Sequence, residues 1–94
     1  MGERLVVEKV FIEPTKISIW VRNIGHEELT IKEALVNQTF YTLTPEITLP
    51  SPDGNPTAVA TEIIISGTYA LGLYQLSLFT SRSNKLGIVT VEYN

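Results

Sequence analysis

The residues of this sequence best suited to chemistry lie in one stretch, KISIWVRNIGHEELTI (16–31). It holds the only tryptophan, Trp20, and the only histidine, His26, which two glutamates follow directly. A histidine beside carboxylates can act as a general base when a pocket and an oriented partner hold it. A histidine in a turn before Glu27 and Glu28 is typical of a solvated side chain instead, so we expect no catalytic role for His26.

No other set of side chains in the sequence has the composition of a catalytic or metal-binding site. The remaining carboxylates are spread singly, and the proline-rich segment 45–57 has only Glu46 and Asp53. Transition metals need several nitrogen or sulfur ligands, and calcium needs several oxygen ligands at close spacing. The sequence has no nucleotide-binding or nucleophile motif. We therefore predict a protein that is not an enzyme and that uses no metal and no cofactor.

The composition narrows the class of protein further. The 94 residues suffice for one domain, 1–94, with a single core. Seven basic residues against ten acidic ones give a net charge of −3, which offers no basic stripe for nucleic acid. The lack of cysteine excludes disulfides and thiol chemistry, and no apolar run approaches the roughly 18 residues of a membrane span.

Any site must be positioned by strands, because apolar residues alternate along the chain and do not recur at helical spacing. In segment 16–23, Ile17, Ile19 and Val21 share one face, which places Trp20 on the other. The segment 24–28 is a hairpin turn in which Gly25 can take a positive φ. We expect a bulge near Glu33-Ala34, a long exposed loop over 45–57 with an edge segment at 46–49, and strands at 4–12, 16–23, 29–37, 39–44, 58–65, 73–80 and 88–93.

Seven or eight short strands without a helix can bury their apolar faces only against a second sheet. We therefore predict an all-β fold, an immunoglobulin-like β-sandwich of about seven to eight antiparallel strands. The fragment GLYQLSL agrees with this prediction. Its Gly72-Leu73-Tyr74 at the head of a late strand resembles the tyrosine corner of such sandwiches.

The predicted strands indicate contact with other proteins. An exposed tryptophan would anchor an interface, but a shifted register would bury Trp20 in the core, and both alternatives stay open. The last strand and the first are candidate sheet edges that can pair with another chain. Asn37-Gln38-Thr39 is a candidate N-glycosylation site at Asn37. The interface candidates are Trp20, Arg22, Ile88, Val89, Val91 and Tyr93.

Two blocks of the sequence, VRNIGHEELTI and FTSRSNKLGIVTVEYN, resemble archaeal surface-filament proteins of the type IV pilin superfamily. The β-domains of that superfamily have a strand, an Asn-x-Gly turn and another strand, and later Thr-Ser-Arg-x-Asn before a β-rich terminus. The matching residues are Val21, Arg22, Asn23, Gly25, Leu29, Ile31, Thr80, Ser81, Arg82, Asn84, Val89, Thr90, Val91 and Tyr93.

Within this superfamily the domain is most similar to the archaellum accessory proteins FlaF and FlaG. The resemblance implies an extracytoplasmic domain at the cell surface, anchored by a native N-terminal membrane helix that this chain lacks and that we expect to have been removed. It also implies a homo-oligomer or a pair with a sister archaellum protein, which contacts the S-layer as a stator of the motility motor. Two alternatives stay open: a structural or adhesive archaeal type IV pilin subunit, and a carbohydrate-binding β-sandwich module that would use Trp20 and Tyr41.

Overall fold

All regular structure in the described part of the chain is β-strand. The computed structural model describes residues 3–53 and 60–94. In these two ranges no helix is long and apolar enough to cross a membrane. The strands are β1 (Leu5–Glu13), β2 (Lys16–Asn23), β3 (Leu29–Val36), β4 (Thr39–Leu49), β5 (Thr61–Ser66), β6 (Gly72–Thr80) and β7 (Lys85–Tyr93).

The strands form two antiparallel sheets that face each other across one core. Sheet A has three strands in the order β1-β2-β5, and sheet B has four in the order β4-β3-β6-β7. Among the described residues, the outermost strands are therefore β1 and β5 in sheet A and β4 and β7 in sheet B. The predicted all-β class is confirmed, and the first and last strands are sheet edges as expected.

The core forms because each strand turns alternate side chains toward the opposite sheet. In β2, Ile17, Ile19 and Val21 are fully buried, whereas Trp20 between them is half-buried on the other face. Leu78 of β6 is one of the fully buried residues that sheet B contributes. Each fully buried aliphatic side chain stabilises the fold by roughly 1.5–3 kcal/mol, so this layer is the main source of stability. The alternation predicted for segment 16–23 is confirmed.

One predicted loop is partly strand. β4 runs without interruption through Pro45 to Leu49, so the edge segment expected at 46–49 is confirmed, whereas residues 45–49 of the loop expected over 45–57 are strand. Residues 54–57 of that predicted loop lie outside the described residues. Between Thr42 and Ile47, four residues of β4 lie opposite the single Lys32 of β3, so this part of β4 bulges out of the ladder and has no register partners there. A proline is tolerated there because its missing N–H breaks no ladder hydrogen bond. In β3 itself, Lys32 is the extra residue in the ladder with β6, one position before the predicted bulge near Glu33-Ala34.

Two further boundaries differ from the prediction. β7 begins at Lys85, before the predicted start at 88. β5 covers Thr61–Ser66, and residues 58–59 of the predicted strand 58–65 lie outside the described residues.

The two lateral sides of the sandwich differ. On one side β1 packs beside β7, where Gly87 has a φ of +63° and a Cβ would come within 3.1 Å of Leu5 and 3.2 Å of Val7. Glycine therefore permits both the backbone conformation and the close approach of β1. On the other side β4 and β5 flank a cavity of about 430 Å³.

Candidate interaction surfaces

His26 links two loops at the surface. Its Nδ1 lies 2.8 Å from the Asp53 Oδ2, and 70% and 59% of the two side chains are exposed. A contact between two side chains this exposed contributes little to stability. The pair is open to water on all sides, so it does not form the enclosed pocket in which a general base acts on a substrate. The described residues contain no group of three His, Asp or Glu side chains placed to hold a metal ion.

Asn23 organises the turn between β2 and β3. Its buried side chain accepts a hydrogen bond from the Gly25 N–H at 2.8 Å and donates from Nδ2 to the Glu27 carbonyl at 2.8 Å and the Leu49 carbonyl at 3.1 Å. All three polar positions of the amide thus have partners, which buried polar groups require. The Asn-x-Gly motif is therefore a structural device that closes one end of the sandwich.

Thr80 organises the turn between β6 and β7 at the same end. The Thr80 hydroxyl donates to the Glu3 Oε1 at 2.6 Å, and the Asn84 Nδ2 donates to the same oxygen at 2.8 Å. The Thr80 backbone N–H also donates to the Asn84 carbonyl at 3.0 Å. Hydrogen bonds to a carboxylate are stronger than neutral ones, so Glu3 is firmly held by this motif.

The two motif turns meet at the first described residues of the chain. The Ile24 N–H donates to the Arg4 carbonyl at 3.1 Å, while Glu3 binds the turn that contains Thr80 and Asn84. A Cβ on Gly25 would lie 3.4 Å from the Arg4 backbone nitrogen. The Asn-x-Gly and Thr-Ser-Arg-x-Asn segments, far apart in sequence, thus jointly fix the start of β1.

A cluster of tyrosines closes the opposite end. Tyr74 at the start of β6 donates its hydroxyl to the Ala70 carbonyl, and Tyr69 donates to the Ile65 carbonyl at 3.1 Å. The Tyr69 and Tyr74 rings meet edge to face at 5.9 Å, and the Tyr41 ring lies 6.5 Å from the Tyr69 ring. Burial, followed by the neighbouring Tyr41, raises the pKa of Tyr69 well above its ordinary value.

The outward side of sheet A carries Trp20, covered by a lysine. The Lys9 ammonium lies 4.8 Å from the centre of the indole ring and 5.5 Å from the Phe11 ring, as cation–π contacts require. Trp20 does not belong to the buried core, so the alternative of a core tryptophan is wrong. Arg22 on the same side is paired with Glu8 at 2.7 Å. Because Lys9 occupies one face of the indole, that face is not open for stacking on a sugar ring.

The outward side of sheet B carries a row of one residue from each strand, three of them apolar and one a serine. Leu35 is the ladder partner of both Phe40 and Ser77, and Ile88 lies beside Ser77 where the β6–β7 register shifts. We call this row, with the phenylalanine that contacts Phe40, the sheet B patch: Phe40, Leu35, Ser77, Ile88 and Phe79. Phe40 and Ile88 are 56% and 71% exposed, whereas Ser77 between them is 3% exposed. The Phe40 and Phe79 rings are 5.5 Å apart. Ser77 lies at the base of a notch of about 190 Å³ that Leu35 and Ile88 also line.

Charges flank the sheet B patch. The ladder places Phe79 between Glu33 of β3 and Lys85 of β7 on the same face. An apolar centre with a polar or charged rim is the composition of many protein interfaces.

The remaining interface candidates on β7 divide between two faces. Ile88 is highly exposed and belongs to the sheet B patch, while Val89 and Val91 pack against the core. Tyr93 is half-buried at the end of the strand. A contact made by side chains on the outward face of β7 would therefore use Ile88, whereas Val89 and Val91 could contribute only through the backbone of the strand edge.

Asn37 lies exposed in the two-residue turn between β3 and β4, with a φ of +55°. Its Oδ1 accepts a hydrogen bond from the Gln75 N–H at 2.9 Å, and its own N–H donates to the Gln75 carbonyl at 2.8 Å. Asparagine tolerates this left-handed conformation better than most residues. The turn therefore presents Asn37 in a fixed orientation at the end of the domain that carries the tyrosine cluster.

The sequence interpretation missed Phe40, Leu35 and Phe79. The signal for Phe79 was present, because it alternates with Leu76 and Leu78 and must point away from the core. The proximity of Phe79 to Phe40 could not be predicted from the sequence, since it depends on which strands become neighbours in sheet B.

No family model matches this chain, and the search of curated proteins finds no match.

Proposed function

We propose that this domain works through protein–protein contact, with the sheet B patch as its interface for a second copy. The observation that carries the proposal is the exposure of Phe40 and Ile88 on either side of the buried Ser77. The largest exposed apolar patch on a domain is often a functional interaction site.

The patch is complementary to itself. A twofold axis parallel to the strands would lay β4 of one copy over β7 of the other, and β3 over β6. Leu35 would then face the notch at Ser77 of the second copy, and Phe40 would face Ile88. Such an isologous arrangement is the commonest form of homodimer.

The size of the face limits how tight this contact can be. Four strands about 4.8 Å apart and about 30 Å long give an area of roughly 500 Å². A stable interface buries about 800 Å² on each partner. We therefore expect a reversible association that depends on concentration, or one that other contacts in the native assembly reinforce.

We also propose that the two sheets form an immunoglobulin-like sandwich. The order β1-β2-β5 over β4-β3-β6-β7 and the hydrogen bond from Tyr74 to the backbone upstream of β6 both agree with an immunoglobulin-like sandwich. In that class of domain, outward sheet faces and end loops commonly carry the binding sites.

The biological setting follows from the sequence resemblance. We propose the extracytoplasmic domain of an archaellum accessory protein of the FlaF/FlaG type, anchored by a membrane helix on its N-terminal side and contacting a sister protein or the S-layer as a stator. In support, both motifs of the resemblance act together to hold Glu3 and Arg4. A domain that is tethered at its N-terminal side needs a well-anchored start of β1. An archaeal pilin subunit remains the alternative within the same superfamily.

The proposed contact is tested by light scattering across a range of concentrations. The unmodified chain is expected to increase in mass with concentration, while Phe40→Asp and Ile88→Lys stay monomeric with unchanged unfolding temperatures. Phe11→Asp places the same charge on the outward face of sheet A and serves as the matched control. Equal association of all four proteins would contradict the proposed interface.

The proposed setting is tested in cells. Deletion of the gene in its source organism is expected to abolish swimming while filament subunits are still made. Normal swimming of the deletion strain would contradict the archaellum assignment and leave the pilin alternative.

A further inference from the structure

The cavity between β4 and β5 occupies the place of a missing strand. Sheet B has four strands and sheet A has three, so no strand of sheet A in the described residues lies opposite the inward face of β4. The cavity of about 430 Å³ opens there and is lined by residues that include Tyr41, Leu43, Ile47 and Ile65. Tyr41 and Ile47 lie on the same face of β4 as the buried Leu43 and Leu49, but they are only half-buried. The space is lined by apolar side chains together with Thr42, Thr44 and Ser66, and it lies beside the free edge of sheet A.

The edge of β5 that borders this cavity is unprotected. β5 pairs with β2 on one side, and no described strand pairs with its other side. Its sequence TEIIIS contains no proline and no lysine, the residues that commonly protect an edge against further pairing. β4, on the far side of the cavity, carries Pro45 and is less suited to accept a strand. Unpaired N–H and C=O groups on β5 are therefore the natural template for an added strand.

The charges around the cavity favour one kind of partner. β4 has a single charged residue, Glu46, which lies between the cavity-lining residues Pro45 and Ile47. β5 also has a single charged residue, Glu62. Both strands that flank the cavity thus carry acidic charge only, which attracts a positively charged segment and repels an acidic one.

We propose that an extended segment of a partner protein, with alternate apolar side chains and flanking lysine or arginine residues, binds as a fourth strand at the free edge of β5. Its main chain would pair with β5, and its inward side chains would fill the cavity above Leu43 and Ile47. Its basic residues would lie near Glu46 and Glu62. Strand addition of this type gains affinity from main-chain hydrogen bonds and specificity from the pockets for alternate side chains. The site lies on a different side of the domain from the sheet B patch, so the two contacts can form together.

The probe is the heptapeptide KVTVTVK, titrated into the full chain and followed by NMR amide exchange and chemical shifts. We expect saturable changes centred on β5 and on residues 41–47, with at least tenfold slower exchange at the β5 amides that face the cavity. Two control peptides of equal length are EVTVTVE, which reverses the charge, and KVTPTVK, whose proline interrupts pairing. Both are expected to bind at least tenfold more weakly.

Charge-reversal variants locate the site. Glu46→Lys and Glu62→Lys, at exposed or half-buried positions outside the core, should weaken KVTVTVK binding several-fold and reduce its salt dependence. Glu92→Lys on β7 makes the same change in net charge away from the cavity and should leave binding unchanged. Equal effects of all three variants, equal binding of the acidic peptide, or shifts that centre elsewhere would overturn the proposal. Protection of β5 by a second copy without peptide, with a doubled mass that Ile88→Lys does not abolish, would overturn it in favour of self-pairing at this edge.

Discussion

Replacement of Asn23 by alanine tests whether the Asn-x-Gly turn is a structural requirement of the fold. The substitution removes three hydrogen bonds, two of them buried and one partly buried. The Gly25 N–H and the Leu49 carbonyl would then be left without partners in the interior, while the exposed Glu27 can turn its carbonyl to water. Each buried polar group without a partner costs about 1–3 kcal/mol.

The unpartnered Gly25 N–H and Leu49 carbonyl together give an expected loss of about 3 kcal/mol in the free energy of unfolding. The assay is urea unfolding at neutral pH, followed by the fluorescence of Trp20, the only tryptophan. With an m value of about 1 kcal/mol/M for a chain of this size, the midpoint should fall by about 3 M. Asn94→Ala makes the same substitution at the exposed last residue and should change the midpoint by less than about 0.5 M.

A loss smaller than about 1 kcal/mol for Asn23→Ala would refute the reasoning. It would mean that water replaces the amide of Asn23 at little cost and that the motif does not hold this end of the sandwich.

Three further substitutions test other parts of the structure. Gly87→Ala forces a Cβ against Leu5 and Val7 at a φ of +63°, so it should cost about 1–2 kcal/mol and lower the Tm in a calorimetric scan by roughly 5–10 °C. Thr80→Val keeps the shape but removes the hydroxyl that binds Glu3, so hydrogen exchange at the start of β1 should become at least several-fold faster than in the unmodified chain. Tyr69→Phe removes the hydroxyl with the raised pKa. The unmodified chain should therefore lose stability in urea as the pH rises above about 10, where tyrosine ionises in the unfolded state, and Tyr69→Phe should lose less.

The sign of the Tyr69 prediction follows from linkage. Burial raises the pKa of Tyr69 in the folded state, so the neutral phenol is retained in the fold after the unfolded chain begins to release its proton. The contribution of this residue is fully present below the unfolded pKa and is lost as the pH rises beyond it. An identical pH dependence of the two proteins would contradict the buried position of this hydroxyl.

Features with a local cause were predictable from the sequence. The alternation of Ile17, Ile19 and Val21 determines which face of β2 is buried, and a glycine two residues before Tyr74 identified the corner at the head of β6. Both depend on residues that are close together in the chain.

Features that depend on strand order were not predictable in this way. Phe40 and Ile88 belong to one surface because β4 and β7 are strands of the same sheet, and the order of that sheet places β3 and β6 between them. The hydrogen bonds of Glu3 to Thr80 and Asn84 join the two ends of the sequence. The path of β4 through Pro45 depends on a bulge in β4 itself, where four residues lie opposite the single Lys32 of β3 and are released from pairing.

The most direct test of the account is a cross-linking measurement on the sheet B patch. The chain has no cysteine, so a single introduced thiol is unique. Chains with Thr42→Cys are mixed with chains that carry Lys85→Cys, and a short bis-maleimide is added, because stacked sheets lie about 10 Å apart. These positions lie on β4 and β7, at matching ends of one row of the ladder.

The proposed twofold arrangement brings Thr42 of one copy over Lys85 of the other. It therefore predicts that the mixed dimer forms faster than either dimer of like chains, and that Ile88→Lys in both chains abolishes it. Equal yields of all dimers, or a Phe11→Cys chain that cross-links to itself as fast as the mixed pair, would contradict an interface on the outward face of sheet B.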